Sequence, residues 1–178
     1  MPNSIESYAV PNQEQSPVRK RVRLLTYFFI FALAVSGITA IPLVFEISIL
    51  IKIFGEGTFF ASLWPAMSEW ITYLYEGIID ISNEYPFVFY GTDWLAFGHI
   101  VIAISFIGIL KDPVKNIWIT EYAMIACILV IPMSIIFGPI REIPTFWIII
   151  DCSFGVFGFI PLWFLRKDIK TLESHHMS

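Results

Sequence analysis

The sequence contains few of the residues that build most catalytic and metal sites. It has two cysteines and three histidines in 178 residues. The cysteines, Cys127 and Cys152, fall in apolar segments without CxxC spacing, which excludes a zinc-finger or thioredoxin-type site. A buried free cysteine behaves as a small apolar side chain, so we assign neither one a chemical role. Because HExxH and HxxxD patterns are also missing, no motif names a reaction.

Charge is scarce as well. Asp, Glu, Lys and Arg make up 15% of the residues and leave a net charge of −4. Duplex nucleic acids are bound by clustered Lys and Arg, so this balance argues against a nucleic-acid partner. Hydrophobic residues reach 57%, with a mean hydropathy of +0.73. A soluble domain cannot bury that many apolar side chains, and the composition predicts an integral membrane protein.

Long apolar runs predict an all-α membrane domain over residues 24–165, since a membrane-spanning helix needs about 20 apolar residues. The predicted spans are residues 24–54, 94–110, 117–138 and 146–165. The first run is too long for a signal peptide and predicts an uncleaved anchor. Short linkers, KDPVKN and GPIREIPT, predict that the last three spans are neighbours in a four-helix antiparallel bundle. In the first span, Ala32, Ser36 and Ala40 predict the packing face.

The distribution of Lys and Arg predicts the orientation. One side of the bilayer would carry nine of these residues, namely Arg19, Lys20, Arg21, Arg23, Lys111, Lys115, Arg166, Lys167 and Lys170. Only Lys52 and Arg141 remain for the other side. The positive-inside rule then predicts a multi-pass protein with both termini in the cytoplasm, in the cell inner membrane if the source is bacterial. Residues 1–23 are predicted as a disordered cytoplasmic tail with a basic flank, and residues 166–178 as a second cytoplasmic tail.

The outer loop between the first two spans predicts an amphipathic helix over residues 63–82. Apolar side chains recur there at helical spacing, and Glu69, Glu76 and Asp80 fall on the opposite face. Pro65 suits the first turn of such a helix. We expect the helix to lie on the outer membrane surface or to cap the bundle.

Five ionisable residues are predicted to lie at one depth, in the outer third of the bundle. Charges inside a bilayer are costly, so each one needs a reason. At 1.5 Å per residue, His99 lies about 8 Å below the outer end of the second span, and Asp151 lies at a similar depth in the fourth. Glu46 is close to the outer end of the first span, and Asp93 and Arg141 bracket the layer. The predicted ligand-binding set is therefore Glu46, Asp93, His99, Arg141 and Asp151.

Three chemistries suit His99, Asp151 and Glu46. The set is compatible with a divalent metal, because imidazole and carboxylate oxygens are zinc ligands. It also suits general acid/base catalysis on a membrane-soluble substrate, or a proton or ion path. A purely structural interpretation competes with these, in which Arg141 neutralises a carboxylate and His99 donates one hydrogen bond.

Two carboxylates at the other end of the spans are predicted to have local roles. Glu121 lies within reach of Lys115 and Arg166 and predicts an interfacial ion pair. Asp112 precedes Pro113, a pairing typical of turns. Neither residue belongs to the predicted site.

The function that follows is an integral membrane protein with an outer polar pocket that binds a small ligand, lipid or metal ion. One alternative is a non-catalytic subunit or assembly factor, whose aromatic-rich spans bind a larger membrane complex. A small proton or ion transporter is the other. The expected partners are the lipid bilayer and either another membrane protein or a second copy of the chain.

Overall fold

The computed structural model describes residues 17–177, and their side chains as far as Ser174. Every element in this part of the chain is helical. The helices are α1 (Pro17–Ala40), α2 (Leu43–Phe54), α3 (Phe59–Leu63), α4 (Pro65–Glu84), a 3₁₀ helix (Pro86–Phe89), α5 (Tyr90–Ser105), α6 (Ile107–Lys111), α7 (Ile117–Ile140) and α8 (Thr145–Met177). The tail predicted over residues 1–16 lies outside the described residues.

Over residues 17–177, four helical segments are long and apolar enough to cross a membrane, as the sequence predicts. They are Pro17–Ala40, Pro86–Lys111, Ile117–Ile140 and Thr145–Ser174. In a bilayer each helix satisfies its own backbone hydrogen bonds, so this architecture is the one expected of a multi-pass membrane protein.

The first apolar run differs from its prediction. Residues 24–54 do not form one span, because α1 ends at Ala40 and α2 begins at Leu43. Pro42 lies at the break and has no N–H with which to continue the α1 hydrogen-bond ladder. Its carbonyl instead accepts from the Glu46 amide at 3.0 Å, which starts the new helix.

Both predicted tails are helical where the structure describes them. Residues 17–23 form the first turns of α1, and residues 166–177 extend α8 well beyond the predicted end of the fourth span. Val22, Ile169 and Leu172 are buried in these extensions. They order the chain because burying apolar side chains offsets the entropy lost on folding.

The chain divides into two compact units, which we describe separately. Unit 1 comprises residues up to Phe29 together with Phe106–Ser178. Its centre is an antiparallel pair formed by α7 and α8, in which Gly138 faces Ile148 and Gly155 faces Cys127. A Cβ on Gly155 would lie 2.4 Å from the Cys127 carbonyl oxygen, so glycine is what permits the helices to approach so closely.

A tight turn joins α7 to α8. The Ile143 amide donates to the Gly138 carbonyl at 3.0 Å, and the Glu142 amide donates to the Pro139 carbonyl at 3.2 Å. These two bonds form a Schellman motif, in which Glu142 takes the left-handed position with φ 57°. The turn reverses the chain within four residues and so brings α8 back along α7.

The core of unit 1 is concentrated at the end that carries most of its Lys and Arg residues, which we call the basic end. Its fully buried members are Val22, Thr26, Phe106, Ile109, Thr120, Leu162, Leu165 and Ile169. Phe106 stacks on Phe29 with ring centroids 5.6 Å apart. Arg21 donates two hydrogen bonds to Asp168, whose side chain is only 3% exposed. The start of α1 is thereby held against the last turns of α8.

Unit 2 comprises Ile30–Ser105. Here α2 packs against α4, and Ile47, Met67, Trp70 and Ile71 are buried. The helix predicted over residues 63–82 is present as α4, Pro65–Glu84. Its charged residues Glu69, Glu76 and Asp80 are exposed. Its position relative to a membrane stays a prediction.

Arg21→Gln tests the ion pair at the basic end. Removing the cation leaves the buried Asp168 carboxylate without its partner, which costs about 3 to 5 kcal/mol when both partners of a pair are buried. Because Arg21 itself is 59% exposed, we expect a loss of about 1 to 3 kcal/mol in the free energy of unfolding, measured by denaturant titration in detergent micelles.

Arg23→Gln is the matched control, since Arg23 is exposed and lies on the same helix. It should change the free energy of unfolding by less than about 0.5 kcal/mol. Equal effects of the two substitutions would show that Asp168 does not depend on Arg21.

Candidate functional site

Four carboxylates of the basic end are paired with cations. Asp168 pairs with Arg21, Asp112 with Lys115 at 3.3 Å, Glu121 with Arg166 at 2.9 Å and Glu173 with Lys170 at 3.1 Å. The ion pair predicted for Glu121 is confirmed. Pairing neutralises these charges, so we assign them to the fold and not to chemistry.

Asp112 organises the turn between α6 and α7, as predicted. Its Oδ1 accepts a hydrogen bond from the Lys115 amide at 3.1 Å. This bond, together with the Lys115 ammonium, holds the pKa of the Asp112 carboxyl below its usual value. Asn116 closes the same turn, because its Nδ2 donates to the carbonyls of Gly108 at 3.0 Å and Asp112 at 2.9 Å.

The five predicted site residues belong to different units. Glu46, Asp93 and His99 lie in unit 2, whereas Arg141 and Asp151 lie in unit 1. Their convergence into one pocket therefore stays a prediction.

His99 lies where α5 meets α1. A Cβ on Gly37 of α1 would lie 3.1 Å from the His99 Cβ and 2.8 Å from the Ala96 carbonyl oxygen. The contact is therefore made through Gly37. Of the predicted packing face, Ser36 is exposed, whereas Ala32 and Ala40 are half-buried. The predicted packing face omitted Gly37, which follows Ser36 and has no side chain.

The imidazole of His99 is oriented by its own helix. Its Nδ1 lies 2.9 Å from the Leu95 carbonyl oxygen. A carbonyl can only accept, so Nδ1 carries the hydrogen and donates it. In the neutral ring, Nε2 then has its lone pair available to accept a proton or bind a ligand.

Asp93 does not share a face with His99. The two residues are six apart on α5, which at 3.6 residues per turn separates their side chains by about 120° around the helix axis. Asp93 is exposed and borders a shallow depression of about 230 Å³ lined by Tyr90, Trp94 and Phe97. Within unit 2, Asp93 is therefore bordered by aromatic side chains of α5, whereas His99 lies at the contact between α5 and α1.

Glu46 lies in the first turn of α2 and is half-buried. A carboxylate is favoured at this position because the amino end of a helix carries a partial positive charge. The break at Pro42 is what makes this residue helix-initial, which the prediction of one continuous span did not foresee.

Asp151 and Arg141 lie at the α7–α8 turn end of unit 1. Asp151 is half-buried on α8, on the face that continues into Gly155 and Gly158, and both glycines contact Cys127 of α7. Arg141 caps the end of α7 and is exposed. Within the part of the chain whose side chains are described, neither residue forms an ion pair. The structural interpretation that Arg141 neutralises Asp151 therefore gains no support, and its pairing with Glu46 stays a prediction.

A metal centre gains no support either. Over the described residues, no group of three or more His, Cys, Asp or Glu side chains is arranged to hold a metal ion. Searches of protein-family models, of curated proteins and of solved structures found no match to the chain.

The sequence reasoning missed the Arg21–Asp168 pair, because both residues were assigned to tails. A signal was present in α8, where Leu165, Ile169 and Leu172 recur at helical spacing beyond the predicted end of the span. That periodicity marks a buried face, and Asp168 is buried beside it.

Gly37→Ala tests the contact that positions His99. The added methyl would overlap the Ala96 carbonyl oxygen, so we expect a loss of about 1 to 3 kcal/mol in the free energy of unfolding in micelles. Gly98→Ala is the control, since a Cβ there has nothing within 4 Å. Better helix propensity should stabilise that variant by up to about 1 kcal/mol. If both variants were destabilised to the same extent, Gly37 would not make the close contact with α5.

Asp112 should titrate below the usual aspartate pKa of about 3.9, since the folded turn favours its carboxylate. A lowered folded-state pKa stabilises the turn above the unfolded value, and this stabilisation is lost as pH falls through the folded pKa. The amide nitrogen shift of Lys115, followed by NMR from pH 6 to pH 2, should report that midpoint. In Asp112→Asn, this pH-dependent change of the Lys115 amide nitrogen shift should be absent. A midpoint at or above the usual value would contradict the hydrogen bond.

Proposed function

We propose that this integral membrane protein binds a small ligand, lipid or ion at a polar site in the outer third of its spans. His99 and Asp151 are its central groups, and Glu46, Asp93 and Arg141 contribute. One observation carries the proposal: His99 and Asp151 lie in helices long and apolar enough to span a membrane, and neither forms an ion pair within the described residues.

The contrast with the basic end supports this assignment. There Asp112, Glu121, Asp168 and Glu173 are each neutralised by a cation, which accounts for their presence near the hydrocarbon. Ionisable groups at membrane depth without such a partner are disfavoured unless they bind or transfer something. His99, with Nε2 available, and Asp151 have the properties of a proton-exchanging pair.

Such a pair suits acid/base chemistry on a membrane-soluble substrate as well as a proton path. An imidazole can donate and accept a proton, and a neighbouring carboxylate stabilises its protonated form. We place the site on the outer side and both termini in the cytoplasm, because nine Lys and Arg residues flank one side of the spans and two flank the other.

A second candidate, a subunit or assembly factor of a larger membrane complex, is favoured by a different observation. In the most apolar windows of the four spanning segments, only 22%, 22%, 11% and 17% of residues are buried within the chain. The α7 segment, with the lowest value, offers a long apolar surface to lipid or to another membrane protein.

Cysteine cross-linking tests whether the two central groups share one site. In a Cys127→Ser, Cys152→Ser background, His99→Cys combined with Asp151→Cys should form a disulfide under mild oxidation, because a shared pocket brings the two positions within bridging distance. Phe97→Cys combined with Asp151→Cys is the control, since Phe97 lies about 160° from His99 around α5. The shared site would be rejected if the His99→Cys, Asp151→Cys variant formed no disulfide. It would also be rejected if the Phe97→Cys, Asp151→Cys variant formed one to the same extent.

Two measurements then separate the functions. Proton influx into proteoliposomes under an imposed membrane potential should fall at least tenfold in Asp151→Asn and His99→Gln if the site is a proton path, and should not change in Glu76→Gln. If wild-type flux equals that of empty vesicles, native mass spectrometry should instead show a bound small molecule that both variants lose. If the protein could be purified only as part of a larger assembly, and showed neither proton influx nor a bound small molecule, the result would favour the subunit function.

A further inference from the structure

A cleft of about 500 Å³ opens at the basic end of unit 1. Its wall is made by the start of α1, the turn between α6 and α7 and the last turns of α8. The charged residues that line it are Arg19, Lys111, Asp112, Lys115 and Glu173. Three cations therefore face two carboxylates in one cleft.

The two carboxylates of the cleft are already neutralised. Asp112 pairs with Lys115 at 3.3 Å, and Glu173 pairs with Lys170 at 3.1 Å. Lys111 forms no ion pair within the described residues and is exposed. The cleft is thus left with an excess of positive charge, which suits an anion.

The depth of the cleft indicates where this anion comes from. Lys111 ends one candidate membrane span, and Ile117 begins the next. Lys111 and Lys115 therefore lie at the boundary between hydrocarbon and water, where the phosphates of membrane lipids are located. Soluble anions are dilute at this boundary, whereas lipid phosphates are concentrated there.

The surface beside the cleft suits the rest of a lipid. Ile107 lies one turn before Lys111 and is 40% exposed, and Trp118, just after Lys115, is 59% exposed. Apolar and indole side chains at this level contact acyl chains and the interface. Pro113 and Val114 line the cleft between the two lysines.

We propose that this cleft binds the phosphate of an anionic membrane lipid, with Lys111 as its principal contact and with Lys115, which also pairs with Asp112, and Arg19 contributing. Basic pockets between spanning helices on the cytoplasmic side bind anionic headgroups by the same physics. The site is separate from the outer polar site and does not depend on it.

Titration of full-length protein with phosphatidylglycerol in detergent, followed by native mass spectrometry, tests the proposal. Phosphatidylcholine with the same acyl chains is the lipid control. The wild type should prefer the anionic lipid. Lys111→Gln with Lys115→Gln should weaken its binding by roughly 10- to 30-fold, from the attraction expected per lysine near an anionic lipid.

The matched protein control is Lys20→Gln with Lys167→Gln. It removes the same charge from exposed residues of α1 and α8 that do not line the cleft. Binding should change less than about twofold there. Lys111→Gln alone breaks none of the described ion pairs and should weaken binding of the anionic lipid in part. This single variant controls for misfolding of the double variant.

Several results would overturn the proposal. Equal losses of lipid binding in the two double variants would mean that diffuse surface charge attracts the lipid and that the cleft is not a specific site. Equal binding of both lipids by the wild type would reject an anionic ligand. If excess inorganic phosphate abolished lipid binding while itself binding through Lys111, the ligand would be a soluble phosphate and not a lipid.

Discussion

The Asp168 carboxylate is buried among apolar side chains at the basic end, and the packing of that end depends on its neutralisation by Arg21. A buried carboxylate without a cation is strongly destabilising, so the first turns of α1 have to stay helical and close to α8. Val22 on α1 and Leu165 and Ile169 on α8 are buried around this pair. One electrostatic requirement thus joins two chain segments that are distant in sequence and creates a wall of the basic cleft.

Charge is used in two different ways along the spans. At the basic end, four carboxylates are matched by cations, and what remains is an excess of positive charge at the membrane boundary. Elsewhere in the spanning helices, His99 and Asp151 form no such pairs within the described residues, although a bilayer penalises charge in such segments. The first arrangement stabilises the fold, and its remaining positive charge is the basis of the proposed site for an anionic lipid. The second leaves groups available for binding or proton transfer.

Local patterns predicted local structure well. The turn at Asp112 and the Glu121–Arg166 pair rest on residues close in sequence or on adjacent antiparallel helices, where spacing fixes geometry. The break at Pro42 was underestimated, because hydropathy continues through it while the hydrogen-bond ladder does not. The tails were missed for the opposite reason: polar composition hid an apolar stripe of α8 that is buried in the folded chain.

Composition and hydropathy alone were enough to specify a helical membrane protein with four apolar segments, since a bilayer permits little else for such a chain. They could not say that the first run splits at Pro42, that Gly37 and not Ser36 meets α5, or that Arg21 neutralises Asp168. Each of these depends on which atoms come within contact distance after folding. Hydropathy is a property of single residues, whereas close approach and charge pairing are properties of pairs, and only the folded chain brings the pairs together.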